Sequence, residues 1–299
     1  MKKVYSATIT PLLADGSLDT EGLRNIIERN IRHGMDGIFI LGTMGEWGSF
    51  DDEFQYDYVK KTCEIAQGRL EVLVGVLAPS LPVSLKKMER YKDLQFKSYV
   101  FMPPGGRSSA LDPLKSVLDF LDAADRPSCF YYCPANNNIV FSMQQLTTIL
   151  SHPNLYALKD SSSNMQVRRE LLWRRKELGI SAMLLEGQEW SCDEAMLLGY
   201  DGILCGLGAL CSKLMVGMAR AIDRNDFNTA QDLQNTYIDI CHGIYGRNME
   251  TSRTGQKYAL TYMNIINSPL SLAHDMSCLT AEAKQRIEQC VDKYRSILD

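Results

Sequence analysis

Leu155-Tyr156-Ala157-Leu158-Lys159 is a short, almost wholly apolar run that ends on a single charged residue. Apolar side chains at successive positions mark a strand buried on both faces, as in a parallel sheet covered by helices. Working outward from it, runs of the same kind occur at residues 128–133, 98–102, 71–77, 37–42 and 5–10 on the N-terminal side, and at 182–186 and 202–205 on the other. The stretches between them carry a different period. Leu23, Ile26, Ile27, Asn30 and Ile31, for example, fall on one face of a helix. Ser49 ahead of Asp52 and Glu53 reads as a capping-box start, and Ser142 does the same before the helical pattern that follows it. Gly34 and Gly179 stand where helices should end.

Eight strand–helix units fill the chain to about residue 223. Strict alternation requires an α/β protein with a parallel sheet, and eight units allow that sheet to close into a (β/α)8 TIM barrel. An open doubly wound sheet would want a glycine fingerprint after its first strand, where this chain has Thr10-Pro11-Leu12-Leu13. The remainder reads as three helices at residues 228–244, 252–266 and 280–298, with no strand among them. No Gly/Ser-rich linker separates the two parts. The expected organisation is therefore a catalytic barrel over residues 1–225 and a helical appendage of the same domain over 226–299.

The chain has 299 residues, 45% of them apolar, and a formal net charge of -4. Its basic residues are scattered except for Arg168-Arg169 and Arg174-Arg175-Lys176, which lie in a helical pattern and read as a solvated face. Nucleic-acid binding needs a concentrated basic patch, so neither nucleic acid nor an anionic membrane is an expected partner. The segment from Val4 to Leu13 is broken by Ser6, Thr8, Thr10 and Pro11, which leaves no signal-peptide core and points to a cytoplasmic protein. The nine cysteines are odd in number and form no CxxC pair, and they read as reduced thiols in apolar patterns. Cys133 and Cys205 fall near strand ends.

In a barrel of this kind, reactive side chains project from the C-terminal ends of the strands. Lys159 closes the sixth strand, where burial would lower its pKa and free an amine to attack a carbonyl. The structural alternative is a lysine paired with Asp160. Tyr131 lies near the end of the adjacent fifth strand, about 4.8 Å away at strand spacing, so a phenol able to move protons can share a substrate with that amine. Gly42-Thr43-Met44-Gly45-Glu46 follows the second strand and suits a tight turn whose N–H groups face a small anion. An amine, a phenol and an anion nest are what imine chemistry on a 2-oxo acid requires.

With these motifs the sequence resembles the pyruvate-dependent class I aldolases of the N-acetylneuraminate lyase and dihydrodipicolinate synthase superfamily. The resemblance spans essentially the whole chain. It rests on Thr10-Pro11, Asp36-Gly37, the Gly42 to Glu46 motif, the Tyr131 to Pro134 stretch, Lys159-Asp160-Ser161-Ser162, Gly187 and Asp201-Gly202. It implies that Lys159 forms a Schiff base, that Tyr131 transfers protons, and that Thr43 and the Met44 amide hold the pyruvate carboxylate. It also implies that no metal or organic cofactor is needed and that the protein is a homotetramer built as a dimer of dimers.

The departures bear on the substrate. In dihydrodipicolinate synthases an arginine that grips a substrate carboxylate stands two residues after the proline of the tyrosine strand; here that position is Asn136. The tyrosine those enzymes place after the fourth strand falls on Gly105. Sialic-acid lyases carry two acids where this chain has Glu189-Trp190. Asn136, Asn137, Ser161, Glu189 and Cys205 are then the candidate substrate contacts. The expected substrate is a 2-keto-3-deoxy sugar acid or sialic-acid-like compound, cleaved to pyruvate and an aldehyde or formed from them. Condensation of the dihydrodipicolinate synthase type and a non-catalytic sensor of 2-oxo acids are the alternatives, the second favoured by the missing tyrosine. A metal-dependent aldolase would need a histidine cluster, and His33, His152, His242 and His274 lack ligand spacing. Gly206-Leu207-Gly208 is a candidate phosphate loop that reads better as close backbone packing. Whether Arg107 or Arg253 reaches an acidic substrate group is left open.

Overall fold

A computed structural model describes residues 1–105 and 112–299. Eight parallel strands close in chain order: β1 (Lys3–Ala7), β2 (Gly37–Ile40), β3 (Glu71–Gly75), β4 (Ser98–Phe101), β5 (Ser128–Tyr132), β6 (Leu155–Asp160), β7 (Met183–Glu186) and β8 (Gly202–Cys205). Pairing of β8 with β1, from Lys3 opposite Gly202 to Ser6 opposite Cys205, completes the barrel. The outer ring is α1 (Thr20–Arg32), α2 (Asp52–Ala66), α3 (Leu81–Tyr91), α4 (Pro113–Ala123), the short α5 (Pro134–Asn137), α6 (Met143–Leu150), α7 (Met165–Leu178), α8 (Cys192–Leu198) and α9 (Gly208–Asp223). The tail is α10 (Phe227–Tyr245), α11 (Ser252–Tyr262) and α12 (Ala281–Leu298). The fold is the (β/α)8 barrel with C-terminal helices that the alternation requires.

Side-chain alternation along the strands divides the core in two. Tyr5, Phe39, Leu73, Val100, Cys129, Tyr131, Ala157, Leu185 and Leu204 fill the barrel interior. The intervening residues, such as Ile38, Val74, Phe130, Leu158 and Leu184, pack under the helices. At the N-terminal end Tyr5 and Tyr156 both donate to Glu71 Oε2, at 2.7 and 2.8 Å, and plug the barrel. This end is built for stability, and the opposite end is left for chemistry.

Three local expectations are corrected. The first strand runs over Lys3–Ala7 and not 5–10, because Thr10 turns away to donate its hydroxyl to the Gly45 carbonyl at 2.7 Å. The second helix is capped by Asp51, which accepts from the Phe54 amide at 2.8 Å, while Ser49 belongs to the preceding 3-10 turn. A carboxylate there serves the free amides and the helix dipole together. The basic clusters of α7 are not simply a solvated face. Arg168 is buried and pairs with Glu186 at 2.5 Å, and Arg175 pairs with Asp201.

All nine cysteines are free. No described helix is long and apolar enough to cross a membrane. Gly208 packs against Ser6 so closely that a Cβ would lie 2.5 Å from that side chain, which gives the glycines after β8 a packing role.

Candidate active site

Alternation along β6 aims Lys159 inward. Ala157 lies in the barrel interior and Leu158 under the helices, so the side chain two residues beyond Ala157 returns to the interior at the C-terminal mouth. Lys159 is 4% exposed. Its Nζ stands 4.3 Å from the centre of the Tyr131 ring and 5.3 Å from that of Phe39. Burial lowers its pKa, with Cys205, Cys133 and Glu189 acting in the opposite sense, and among the described residues Lys159 forms no direct ion pair. Asp160 faces outward instead, where it accepts from Tyr200 Oη at 2.8 Å and from the Ser162 amide at 2.9 Å. The alternative in which Asp160 neutralises Lys159 is thereby removed.

Tyr131 sits opposite Lys159 in the β5–β6 register. Burial raises its phenol pKa, and the Thr43 and Ser161 hydroxyls border the phenol. Thr43 belongs to the turn after β2, which is bracketed by two left-handed residues, Leu41 at φ 54° and Glu46 at φ 57°. Such conformations cost a non-glycine residue on the order of 1 kcal/mol and persist where surrounding contacts hold them. Here the hold is a buried ion pair. Glu46 Oε1 meets Lys257 Nζ of α11 at 2.5 Å, and the other oxygen accepts from the Leu272 and Ala273 amides. The turn leaves amides unused. Among the described residues, those of Thr43, Met44 and Gly45 donate to no protein oxygen.

The remaining candidates divide by what their side chains touch. Asn136 donates from Nδ2 to Thr43 Oγ1 at 2.9 Å. Asn137 is buried and spent on the chain itself: it donates to the Pro103 carbonyl at 3.0 Å and accepts from the Ile139 amide at 3.1 Å. Ser161 Oγ is buried without a well-formed partner and faces Tyr131. Glu189 Oε1 accepts from the Gly206 amide at 2.7 Å, and burial raises its pKa against the pull of that amide and of Lys159. Trp190 turns outward beside His242, with ring centroids 5.4 Å apart. Cys205 is buried with its sulfur 3.5 Å from that of Cys192, and burial holds its pKa well above the usual thiol range. The Met44 side chain packs over Gly206, leaving its amide as the group available at the mouth.

Two glycines are fixed by close approach. A Cβ on Gly187 would fall 2.1 Å from Ser161 Oγ and 2.7 Å from Lys159 Cε, so any side chain there would displace the amine. A Cβ on Gly105 would fall 2.4 Å from the Asn137 carbonyl oxygen, so the asparagine turn after β5 fills the space a side chain at 105 would need. Beside that turn lies a cavity of about 410 Å³ walled by Trp47, Leu77, Met102, Pro104 and Asn136. Arg107 lies outside the described residues. Arg253 donates from Nε to the Thr43 carbonyl at 2.7 Å.

Sequence reasoning missed what stands behind the mouth. Arg168 donates to Glu186 Oε2 and, at 2.8 Å, to Ser191 Oγ, while Glu186 Oε1 accepts from the Gln188 amide at 2.9 Å. These contacts fix the loop that carries Gly187 and Glu189. The only sequence signal was a pair of acids, Asp160 and Glu186, ending adjacent strands on the face away from the barrel. The links from the tail to the turn after β2 span more than 200 positions and leave no local trace.

Barrel, buried mouth lysine, facing phenol and open-amide turn together define the general plan of a barrel enzyme site. Residues 1–293 match the Dihydrodipicolinate synthetase family, and the chain belongs to that family. It is 23% identical over 286 residues to the 4-hydroxy-tetrahydrodipicolinate synthase of Methylococcus capsulatus, covering 95% of this chain and 96% of that one. It is 24% identical over 279 residues to an N-acetylneuraminate lyase of Escherichia coli, covering 90% and 89%. The dihydrodipicolinate synthase structure from Bacteroides thetaiotaomicron superimposes with a TM-score of 0.89 at 27% identity, over 98% of each chain.

Proposed function

We propose that this protein is a class I, pyruvate-dependent aldolase in which Lys159 forms an imine with a 2-oxo acid. The observation that carries the proposal is a buried lysine amine over the Tyr131 ring at the barrel mouth, its pKa lowered by burial in spite of the nearby Glu189. Both named relatives above, a synthase and a lyase, belong with this reading. The neutral amine adds to the ketone carbon, and loss of water gives the imine. The imine draws electrons from the breaking carbon–carbon bond, a hydroxyl proton leaves the departing aldehyde, and a proton returns to the enamine carbon before water releases pyruvate. Tyr131, with Thr43 and Ser161 beside its phenol, is the group placed to carry those protons. The open amides at Thr43 and Met44 receive the carboxylate. Only the lysine is needed as an electron sink, so the reading calls for no metal or organic cofactor.

For the substrate we propose a 2-keto-3-deoxy sugar acid or sialic-acid-like compound. Glu189 at the mouth, with Asn136, supplies polar contacts to a hydroxylated tail, while Asn137 is already engaged. Condensation with aspartate semialdehyde is disfavoured, because Asn136 lacks the charge to hold a second carboxylate and Gly105 has no room for a tyrosine in this arrangement. The test is a panel of 2-keto-3-deoxy acids assayed for pyruvate release. Turnover of at least one panel member, with aspartate semialdehyde consumed far more slowly, is the expected result. Comparable consumption of aspartate semialdehyde would defeat the substrate assignment, and binding of pyruvate with no turnover of any kind would favour the sensor.

A further inference from the structure

We infer that Arg253 is a positioning residue for the anion-binding peptide Thr43–Met44: it grips the Thr43 carbonyl from behind and so aims the Met44 N–H at the substrate carboxylate. The inference rests on the imine reading of the site.

Arg253 stands in the first turn of α11, half-buried, with its guanidinium held at two points. Nε donates to Thr43 O at 2.7 Å, and Nη1 meets His274 Nε2. A trans peptide points its C=O and N–H in opposite directions. Fixing the Thr43 oxygen toward α11 therefore fixes the Met44 hydrogen away from it. That amide donates to no protein oxygen among the described residues. A half-buried cation on the carbonyl also polarises the peptide and makes its N–H a stronger donor. The guanidinium's planar fork gives a directed Nε–H that a flexible ammonium does not.

The surroundings agree. Burial lowers the Arg253 pKa and the Glu46 carboxylate of the same turn opposes that shift, so the guanidinium stands near both ends of the turn it grips. Glu46 is itself tied to Lys257, one helical turn further along α11, so the same helix holds the turn at two residues. A direct contact from Arg253 to a second acidic group of the substrate fits less well, because its Nε and Nη1 are already used within the protein.

The test compares two carbonyl compounds that differ in the carboxylate. Pyruvate and hydroxyacetone each form an imine with an amine by losing one water, and borohydride reduces that imine to a stable secondary amine. Trapped adduct is measured by intact mass across a concentration series for the wild type, Arg253→Met and Arg253→Lys. The expected result is that Arg253→Met raises the half-saturating pyruvate concentration about tenfold, the size of one charge-assisted hydrogen bond, while that for hydroxyacetone stays put. Arg253→Lys falls between. The ratio of the two constants is read on the same folded molecules, so partial unfolding does not mimic it. Equal weakening for both carbonyls, or no change in either, would overturn the inference. A wild-type protein that traps neither compound would instead refute the imine reading on which it stands.

Discussion

Lys159 and Tyr131 make one unit, and each shapes what the other can do. Desolvation weakens the lysine's hold on its proton despite the opposing Glu189, and Nζ lies over the Tyr131 ring. Burial also keeps Tyr131 protonated, so in the proposed mechanism it would enter as an acid and act as a base only once a proton has moved through Thr43, Ser161 or the substrate. Tyr131→Phe keeps the ring and removes the hydroxyl. We expect it to retain pyruvate imine formation while slowing carbon–carbon cleavage by about 10²- to 10⁴-fold. Single-turnover pyruvate release set against trapped imine separates the two steps, and a variant that cleaves at the wild-type rate would remove Tyr131 from proton transfer. Both residues were legible in the sequence, Lys159 because it closes the apolar run that starts at Leu155 and Tyr131 because it lies near the end of the adjacent run. The partners of Thr43 were not, since Asn136 and Arg253 reach it from 93 and 210 residues away.

Adjacent strands β6 and β7 carry chemistry inward and its support outward. Asp160 and Glu186 are direct register partners on the outer face, and Arg168 of α7 closes over Glu186. Burial, reinforced by Asp160, outweighs Arg168 and raises the Glu186 carboxyl to about 7. A carboxyl whose folded pKa is above its unfolded one holds its proton more tightly in the native state. Its contribution therefore favours folding below the unfolded pKa of 4.5 and is lost as pH rises toward about 7. The difference corresponds to roughly 3 kcal/mol at one pKa unit per 1.36 kcal/mol. Glu186→Gln is expected to flatten the decline in unfolding free energy between pH 5 and pH 7 measured by urea denaturation. An unchanged slope would show that Glu186 does not titrate in that window. The sequence placed the strands because burial on two faces leaves a continuous apolar signature. It misassigned Arg168, because helical periodicity says which residues share a face but not that this face covers a buried acid. It also misplaced the cap of α2, where a serine and an aspartate two positions apart compete for one role and the charged group wins.

Across the whole molecule, the barrel carries the groups to which the proposed function assigns the reaction, and the tail holds the mouth in shape. The eightfold alternation was readable because a closed parallel sheet repeats one pattern eight times. The attachment of the tail was not. Helices α10 to α12 show only their own amphipathic pattern, while their function at the site runs through single long-range contacts such as Lys257 with Glu46. These contacts stabilise a turn that bends through two left-handed residues and still presents open amides to an anion. The sign of the net charge, -4, gives no long-range attraction for an acidic substrate, so in the proposed function its capture would rest on this local geometry. The claim on which everything else depends is that Lys159 forms an imine with a 2-oxo acid. The direct measurement is borohydride reduction in the presence of pyruvate, followed by peptide mass spectrometry of the wild type and of Lys159→Ala. The account predicts one adduct confined to the peptide containing Lys159 and absent from the variant; an adduct at another lysine, or none, would contradict it.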